Sequence, residues 1–285
     1  MAARKPIIAI CYDFDGTLAH GNIQENSFLP ELNIESDDFW DDVSKNTKDH
    51  NADRILTYMH LMLEEARNTK SENQITKSAI RAHGKKAALY RGVKVWFGRI
   101  DEYAKDKGAK IEHYIISSGL KEMIEGSPIG DKFEGIFASS FRYNSADIAE
   151  WPALALNYTT KTQYLFRINK GVKEIYEDKK VNEYKAPEKR RIPFTRMVYI
   201  GDGDTDIPCM KLVKDQGGFS IVVYEPDEKE ENEKNNKEKA SKLIENNRAN
   251  FIAPADYRKD KKLDKQIKTI IDKVIADFNV QKLMP

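Results

Sequence analysis

The apolar positions of this chain form short unbroken runs separated by longer amphipathic stretches. Ile7–Tyr12 and Met197–Ile200 are apolar throughout, which is typical of strands buried on both faces of a parallel sheet. Further strands are predicted over residues 110–116, 135–143 and 218–224. Because helical spacing of apolar residues lies between these runs, we predict an α/β fold with a doubly wound, mostly parallel sheet.

Residues 20–107 have a different character from the rest of the chain. Apolar residues recur there at helical spacing, from Phe39 and Val43 to Met59, Met62 and Ala66, with charged residues between them. No segment of this region has a convincing strand pattern. We therefore predict an all-helical domain over 20–107, inserted into an α/β core formed by 1–19 and 108–285, with linkers near 19–22 and 107–108.

Composition narrows the class of protein. The 285 residues carry 47 Lys and Arg against 46 Asp and Glu, so no overall field favours nucleic acid or an anionic membrane. Residues 179–196 are basic, but no aromatic platform accompanies them, and an exposed connection is the preferred interpretation. Cys11 and Cys209 fit small buried residues rather than a disulfide framework. The N-terminal apolar run is too short for a signal peptide or a spanning helix, so we expect a soluble, cytoplasmic protein.

Candidate chemistry begins where the first predicted strand ends. Asp13 and Asp15 are two residues apart and project to the same side, and Gly16 lets the backbone turn away. Two carboxylates in a desolvated site repel each other unless a cation lies between them or one is protonated. The pair therefore fits either a divalent-metal site or general acid–base chemistry, although an ordinary Asp-Gly turn remains an alternative.

Two further segments place polar residues after or near predicted strands. Ser117, Ser118 and Gly119 end the second strand before a predicted helix, a position suited to an anion, although serine there is also a common helix cap. Thr160 and Gln163 have the spacing of a capping box, which would place Lys161 at the first helical position. A cation there opposes the helix dipole, which hints at a function, although a solvated lysine is the common alternative.

The fourth segment is Gly201–Asp206, which carries three aspartates at a spacing of two. An EF-hand is excluded because Ile207 stands where glycine is needed and Val213 where the bidentate glutamate belongs. The alternative is a second acidic cluster at a strand end that faces the first. In a doubly wound sheet the strand ends meet at one edge, so the four segments are expected to share a crevice.

These four segments resemble the motifs of the haloacid dehalogenase superfamily of phosphatases. They occur in the order of that family as DFDGTL (13–18), IISS (115–118), Lys161 and GDGDTD (201–206). The match covers the whole sheet domain. The insertion after the first motif is similar to the helical cap at that place in the phosphoserine-phosphatase-like branch.

The resemblance implies an Mg²⁺-dependent phosphomonoester hydrolase acting through an aspartyl-phosphate intermediate on a small phosphorylated metabolite. Asp13 would be the nucleophile, and Asp15 the acid for the leaving oxygen and then the base for water. The implied roles of the remaining residues fall into two sets: Mg²⁺ held by Asp13, the backbone carbonyl of Asp15 and Asp202, with Asp206 positioning its waters; and phosphate contacts from Ser117, Ser118, Lys161, Gly16 and Thr17.

Other functions stay open at this point. A phosphomutase or phosphotransferase of the same superfamily keeps the same motifs, and a protein that binds phosphoryl ligands without turnover is a further alternative. A dehalogenase has no need of an acid at Asp15. A receiver domain is about half this length and has no helical insertion. We expect no nucleic-acid or membrane partner, and the oligomeric state is not addressed by the sequence.

Overall fold

A seven-stranded sheet forms the centre of the molecule, in the order β4-β3-β2-β1-β5-β6-β7. The structure, a computed structural model, describes residues 5–71, 75–227 and 229–283. Residues 1–4, 72–74, 228 and 284–285, which belong to the predicted domain ranges, lie outside the described part. The strands are β1 (Ile7–Tyr12), β2 (Lys110–Leu120), β3 (Gly135–Tyr143), β4 (Ala149–Leu154), β5 (Met197–Gly201), β6 (Phe219–Tyr224) and β7 (Phe251–Pro254).

Every strand pair is parallel except β3 with β4. The helices are α1 (Phe28–Glu31), α2 (Ser36–Asp49), α3 (Arg54–Asn68), α4 (Lys77–His83), α5 (Val93–Asp106), α6 (Lys121–Gly126), α7 (Thr162–Lys170), α8 (Asp178–Asn182), α9 (Ile207–Asp215), α10 (Glu230–Glu245) and α11 (Lys262–Gln281). This arrangement confirms the predicted α/β fold with a mostly parallel sheet.

Two hydrophobic clusters lie on the two faces of the sheet. Ile8, Ile10 and Tyr12 of β1 pack with α5, α11 and the helices that follow β1, whereas Ala9 and Cys11 pack with α7, α9 and α10. The unbroken apolar sequence of β1 is explained by this burial on both sides. Both cysteines are buried and free, as their apolar surroundings predict.

The segment inserted after β1 enters and leaves the core at neighbouring points. The backbone N–H of His20 donates to the carbonyl of Ala88 at 2.8 Å, and that of Tyr90 donates to the carbonyl of Leu18 at 3.0 Å. The two crossings therefore run side by side, and α1 to α4 lie between them in sequence.

Helix α5 lies in the predicted insertion range but packs on the sheet. Trp96 is fully buried, and its Nε1 donates to the Tyr12 hydroxyl at 2.9 Å. The Phe97 ring lies 5.0 Å from that of His113 on β2. We therefore propose that the inserted unit covers residues 20–92 and that the segment around 107–108 is a turn within the core rather than a linker.

The structure also corrects local predictions. The strand β4, which includes Trp151 and Pro152, and the strand β7 are absent from the predicted strands. Helix α6 begins at Lys121, so Ser118 and Gly119 lie within β2 and not at the start of a helix. Lys161 is the residue before α7, and the Thr160 hydroxyl bonds to Asn157 instead of forming the capping box. Across the described ranges, no helix has the length and apolar character needed to span a lipid bilayer.

Candidate active site

The carboxyl end of β1 lies at the middle of the sheet, between β2 and β5. Asp13 is the first residue after β1, and its N–H donates to the Ile200 carbonyl of β5 at 3.0 Å. Its carboxylate is almost fully buried. The backbone around Asp13 is thus fixed by the sheet, and the side chain projects from the edge where ligands bind in open α/β sheets.

Lys161 connects Asp13 to the last acidic segment. Its Nζ donates to Asp13 Oδ2 at 2.9 Å and to Asp206 Oδ1 at 2.8 Å, and the side chain is fully buried. Burial alone lowers the pKa of Lys161, but the charges of Asp13 and Asp206 outweigh it and raise the pKa. The lysine is therefore a permanent cation between Asp13 and Asp206.

Asp206 and Asp202, which follow β5, are the other two acidic residues near Asp13. Asp206 accepts hydrogen bonds from the Tyr199 hydroxyl at 2.7 Å and from the Asp202 N–H at 3.2 Å. Asp202 accepts from the Thr17 hydroxyl at 3.2 Å. Gly16 has a φ of 69°, and a Cβ there would lie 2.3 Å from Asp202 Oδ2. Glycine is therefore required at residue 16 both by the turn and by the close approach of Asp202.

Three carboxylates meet at this point. One oxygen each of Asp13, Asp202 and Asp206 lies within 4.8 Å of the others. Burial, followed by the neighbouring carboxylates, raises the pKa of Asp202 well above its ordinary value and that of Asp206 to about 6. One ammonium does not balance three carboxylates, so the cluster favours an additional cation, and an all-oxygen donor set suits a hard divalent ion.

Asp15 is bonded to the inserted segment. Its Oδ1 accepts from the backbone N–H of Ile23, at the start of the inserted segment, at 2.9 Å. Burial and the charge of Asp13 raise the pKa of Asp15 to about 8. A Cβ on Gly119 would lie 2.6 Å from Asp15 Oδ2, so the end of β2 approaches this carboxyl group closely.

The remaining predicted residues divide into two groups. Ser117, Ser118 and Gly16 line a cleft together with Asp13 and Asp15. Ser117 Oγ accepts from the Gly119 N–H at 3.1 Å. Thr17, Lys161 and Asp206 are buried behind this surface. The structure thus brings all four predicted segments together at one edge, with Thr17 contacting Asp202 rather than lining the cleft.

The cleft has a volume of about 440 Å³ and lies between the core and the inserted segment. Its lining includes residues that the sequence analysis did not assign to the site. They are Trp40, Asp53, Ile55 and Tyr58 of the insertion and Asn157 and Tyr158 of the core. Arg54 of the insertion also lines it, whereas Arg67 and Arg91 are not among the lining residues. The sequence signal for these residues is weak, because polar and aromatic residues within a helical spacing of apolar residues are common on any amphipathic helix.

The sequence is similar to a known family and to a curated relative. The family model described as haloacid dehalogenase-like hydrolase matches residues 10–211. An uncharacterised protein of Borreliella burgdorferi is 30% identical over 289 aligned positions, covering 92% of this chain and 96% of that protein.

Solved structures with a similar fold include a phospho-aspartyl intermediate analogue of phosphoserine phosphatase. It has a TM-score of 0.51 and 14% identity, covering 93% of this chain and 99% of that one. A phosphoserine phosphohydrolase-like protein of Francisella tularensis has a TM-score of 0.47 and 21% identity, covering 88% of this chain and 95% of that one. At 14% identity the likeness to the first of these structures concerns the fold alone. With the family model matching most of the sequence, the chain belongs to the haloacid dehalogenase-like hydrolase family.

Proposed function

We propose that the protein is an Mg²⁺-dependent phosphomonoester hydrolase that forms an aspartyl phosphate on Asp13. The observation that carries this proposal is the arrangement around Asp13, whose carboxylate is held by the buried Lys161 ammonium and faces the open cleft. A carboxylate fixed at a strand end, with cationic and N–H donors around it, is suited to in-line attack on phosphorus.

The first step forms a bond between an Asp13 oxygen and phosphorus and breaks the bond from phosphorus to the leaving oxygen. Asp15 lines the same cleft and gives its proton to that oxygen. Negative charge on the transferring group is stabilised by Lys161 and by donors at the end of β2, where Ser117 and the Ser118 N–H stand.

The second step reverses the role of Asp15. Its carboxylate takes a proton from water, the water oxygen attacks phosphorus, and the bond between phosphorus and Asp13 breaks. Inorganic phosphate leaves, and both aspartates return to their starting states. A single residue can serve both steps because the leaving oxygen and the attacking water occupy the same side of the phosphorus in turn.

The acidic cluster fits a resident Mg²⁺. Asp13, Asp202 and the backbone carbonyl of Asp15 would hold it, although the Asp13 oxygens also accept from the Phe14 N–H at 2.7 Å and from Lys161. Asp206 is fully buried, does not line the cleft and is bonded to Lys161, Tyr199 and the Asp202 N–H, so we assign it to fixing the cluster and its waters. When bound, the metal supplies positive charge that draws the substrate phosphate to Asp13.

The substrate proposed is a small phosphorylated metabolite. A cleft of about 440 Å³ suits a small molecule. The inserted helices cover the leaving-group side and contribute Arg54, whose guanidinium lies 5.7 Å from the Trp40 ring centroid. We infer that the insertion selects the leaving group and that the core residues perform hydrolysis.

Phosphate release from a panel of phosphomonoesters, including p-nitrophenyl phosphate, tests the proposal. Activity is expected with Mg²⁺, to be lost on chelation and to return when Mg²⁺ is restored. Ca²⁺, which takes more and longer oxygen contacts, is expected to bind without supporting turnover. Full activity after exhaustive EDTA treatment contradicts the metal assignment.

The Asp13→Asn variant tests the nucleophile. It is expected to abolish turnover because an amide is a poor nucleophile, while circular dichroism remains that of the wild type. Asp204→Asn is the matched control, since Asp204 is an exposed carboxylate at the rim of the same cleft. Near-native activity in Asp13→Asn, or equal losses in both variants, contradicts the assignment.

A further inference from the structure

The start of helix α3 contacts two core segments across the cleft. Asp53, the residue before α3, and Tyr58, in its second turn, are side chains of the inserted unit that reach core residues. The core residues they reach are Asn157 and Ser118, which lie close in sequence to Lys161 and Ser117. A single rigid element of the insertion is thus bonded to two segments that carry proposed phosphate-binding groups.

The first contact joins Asp53 to the turn that presents Lys161. Asp53 Oδ1 caps α3 by accepting from the N–H groups of Ile55 and Leu56 at 2.9 and 3.0 Å. Its second oxygen, Oδ2, accepts from Asn157 Nδ2. One carboxylate therefore fixes the start of the helix and a core side chain at the same time.

Asn157 in turn organises the residues up to Lys161. Its carbonyl accepts from the Lys161 N–H at 3.0 Å and from the Thr160 hydroxyl at 2.9 Å, and its own N–H donates to Thr160 Oγ1 at 2.7 Å. The backbone from which the buried lysine extends is thus closed into a turn on Asn157. A displacement of Asn157 would therefore move the Lys161 backbone, and with it the base of the Lys161 side chain at Cα.

The second contact joins Tyr58 to the end of β2. The Tyr58 hydroxyl donates to the Ser118 carbonyl at 2.8 Å, and the side chain is almost fully buried. The ladder between β2 and β3 is irregular between Ser117 and Leu120. Because regular pairing is interrupted there, a hydrogen bond from outside the sheet has more influence on the position of these residues than it would in a regular strand.

We propose that Asp53, Asn157 and Tyr58 are positioning residues that couple the seating of the inserted unit to the placement of Lys161 and of the Ser118 segment. When the insertion lies on the core, both phosphate-binding segments are in place; when it lifts, both lose a hydrogen bond. The insertion thereby controls hydrolysis itself, in addition to selecting the leaving group. The catalytic consequence rests on the proposed phosphatase function, whereas the mechanical coupling does not.

Hydrogen exchange of the metal-free protein tests the coupling without any assay of activity. In Asn157→Asp, two carboxylates face each other, and we expect faster exchange at the Lys161 amide and in peptides covering the start of α3. Asp53→Asn combined with Asn157→Asp restores an amide–carboxylate pair with the donor reversed. Asparagine caps helices about as well as aspartate, so the double variant is expected to recover wild-type exchange.

Kinetics with p-nitrophenyl phosphate test the catalytic consequence. Tyr58→Phe removes one hydroxyl and is expected to lower kcat about fivefold to tenfold with little change in KM, the effect of losing one buried hydrogen bond in the transition state. Tyr103→Phe is the matched control, because the Tyr103 hydroxyl donates to Asp272 at 2.8 Å on the core helices. Its kcat is expected to equal that of the wild type.

The outcomes separate this proposal from the proposed function. Unchanged exchange in Asn157→Asp, or failure of the double variant to recover, overturns the coupling even if the enzyme is an active phosphatase. An effect of Tyr58→Phe confined to KM also overturns it, because substrate contact alone would produce that result. A wild-type protein that hydrolyses no phosphomonoester refutes the proposed function, while the exchange experiment still decides the coupling.

Discussion

Replacement of Lys161 by methionine removes the cation from the centre of the acidic cluster while keeping a side chain of similar length. In the wild type the ammonium lies 2.9 Å from an Asp13 oxygen and 2.8 Å from an Asp206 oxygen. At an effective dielectric constant of about 20, each contact contributes about 6 kcal/mol of gross Coulomb attraction. Desolvation of the buried ammonium offsets much of this, so we expect a net loss of about 3–5 kcal/mol in the free energy of unfolding.

The same substitution is expected to change the response to Mg²⁺. The Lys161 ammonium repels a cation bound at the neighbouring carboxylates, so its removal strengthens metal binding. A ligand at about one hundred times its Kd stabilises a protein by about 2.7 kcal/mol. At a fixed Mg²⁺ concentration the variant should therefore regain more stability than the wild type gains, while its kcat falls at least about a hundredfold because a transition-state donor is missing.

Urea unfolding in EDTA and in Mg²⁺ measures both effects. Lys170→Met is the matched control, because Lys170 ends the helix that Lys161 precedes and its Nζ donates to the backbone carbonyls of Val181 and Glu183, at 2.6 and 2.7 Å, and not to the acidic cluster. It is expected to lose about 1–2 kcal/mol and to show the wild-type gain with Mg²⁺. A Lys161→Met protein within about 1 kcal/mol of the wild type in EDTA, or with no larger gain from Mg²⁺, would refute this reasoning.

Three other predictions concern different parts of the molecule. Asp15→Asn should form a phosphoenzyme slowly and retain it, and mass spectrometry should locate the phosphoryl group on Asp13; any other location contradicts the mechanism. Arg54→Ala should alter KM or the preference among substrates while p-nitrophenyl phosphate is still cleaved. Arg67→Ala, at the exposed arginine in the last turn of α3, should alter neither. Burial raises the pKa of Glu112, but hydrogen bonds led by Arg191 outweigh it and lower the pKa to about 2. This carboxylate therefore stabilises the fold above about pH 4.5, and about 3 kcal/mol is lost as the pH falls towards 2. Urea titrations should show a flatter acid limb for Arg191→Met, and an unchanged limb would contradict the assignment.

The sequence predicts the features that depend on local pattern. The apolar run before Asp13 specifies a strand buried on both faces, and the polar residues after it lie at the sheet edge as expected. The unfavourable charge of Lys161 near a helix start is also a local signal, and the structure places that residue between two carboxylates, while its role in the reaction stays a prediction. The structural predictions succeed because each rests on a strand end or a helix start that can be recognised over a few residues.

The features that were missed depend on contacts between distant segments. The apolar face of α5 indicates a helix but not its partner, so the sequence did not show that Trp96 packs on Tyr12 rather than within the insertion. Likewise, nothing near Asp53 or Tyr58 in the sequence shows that they meet Asn157 and Ser118. Strand β7 has only four residues, and a segment of that length gives little periodicity to detect.

The position of β1 in the sheet has a consequence for folding during synthesis on the ribosome. The strand is translated before the other strands of the described sheet, yet it becomes the central strand, and Ala9 pairs with Met197 of β5. Synthesis at about 10 residues per second separates these partners by about 20 s. Throughout that interval a fully apolar strand is present without one of its neighbours, while the helices from α1 to α4 need only local contacts to form. Nascent-chain aggregation and chaperone binding should therefore centre on the N-terminal strand and end once β5 emerges.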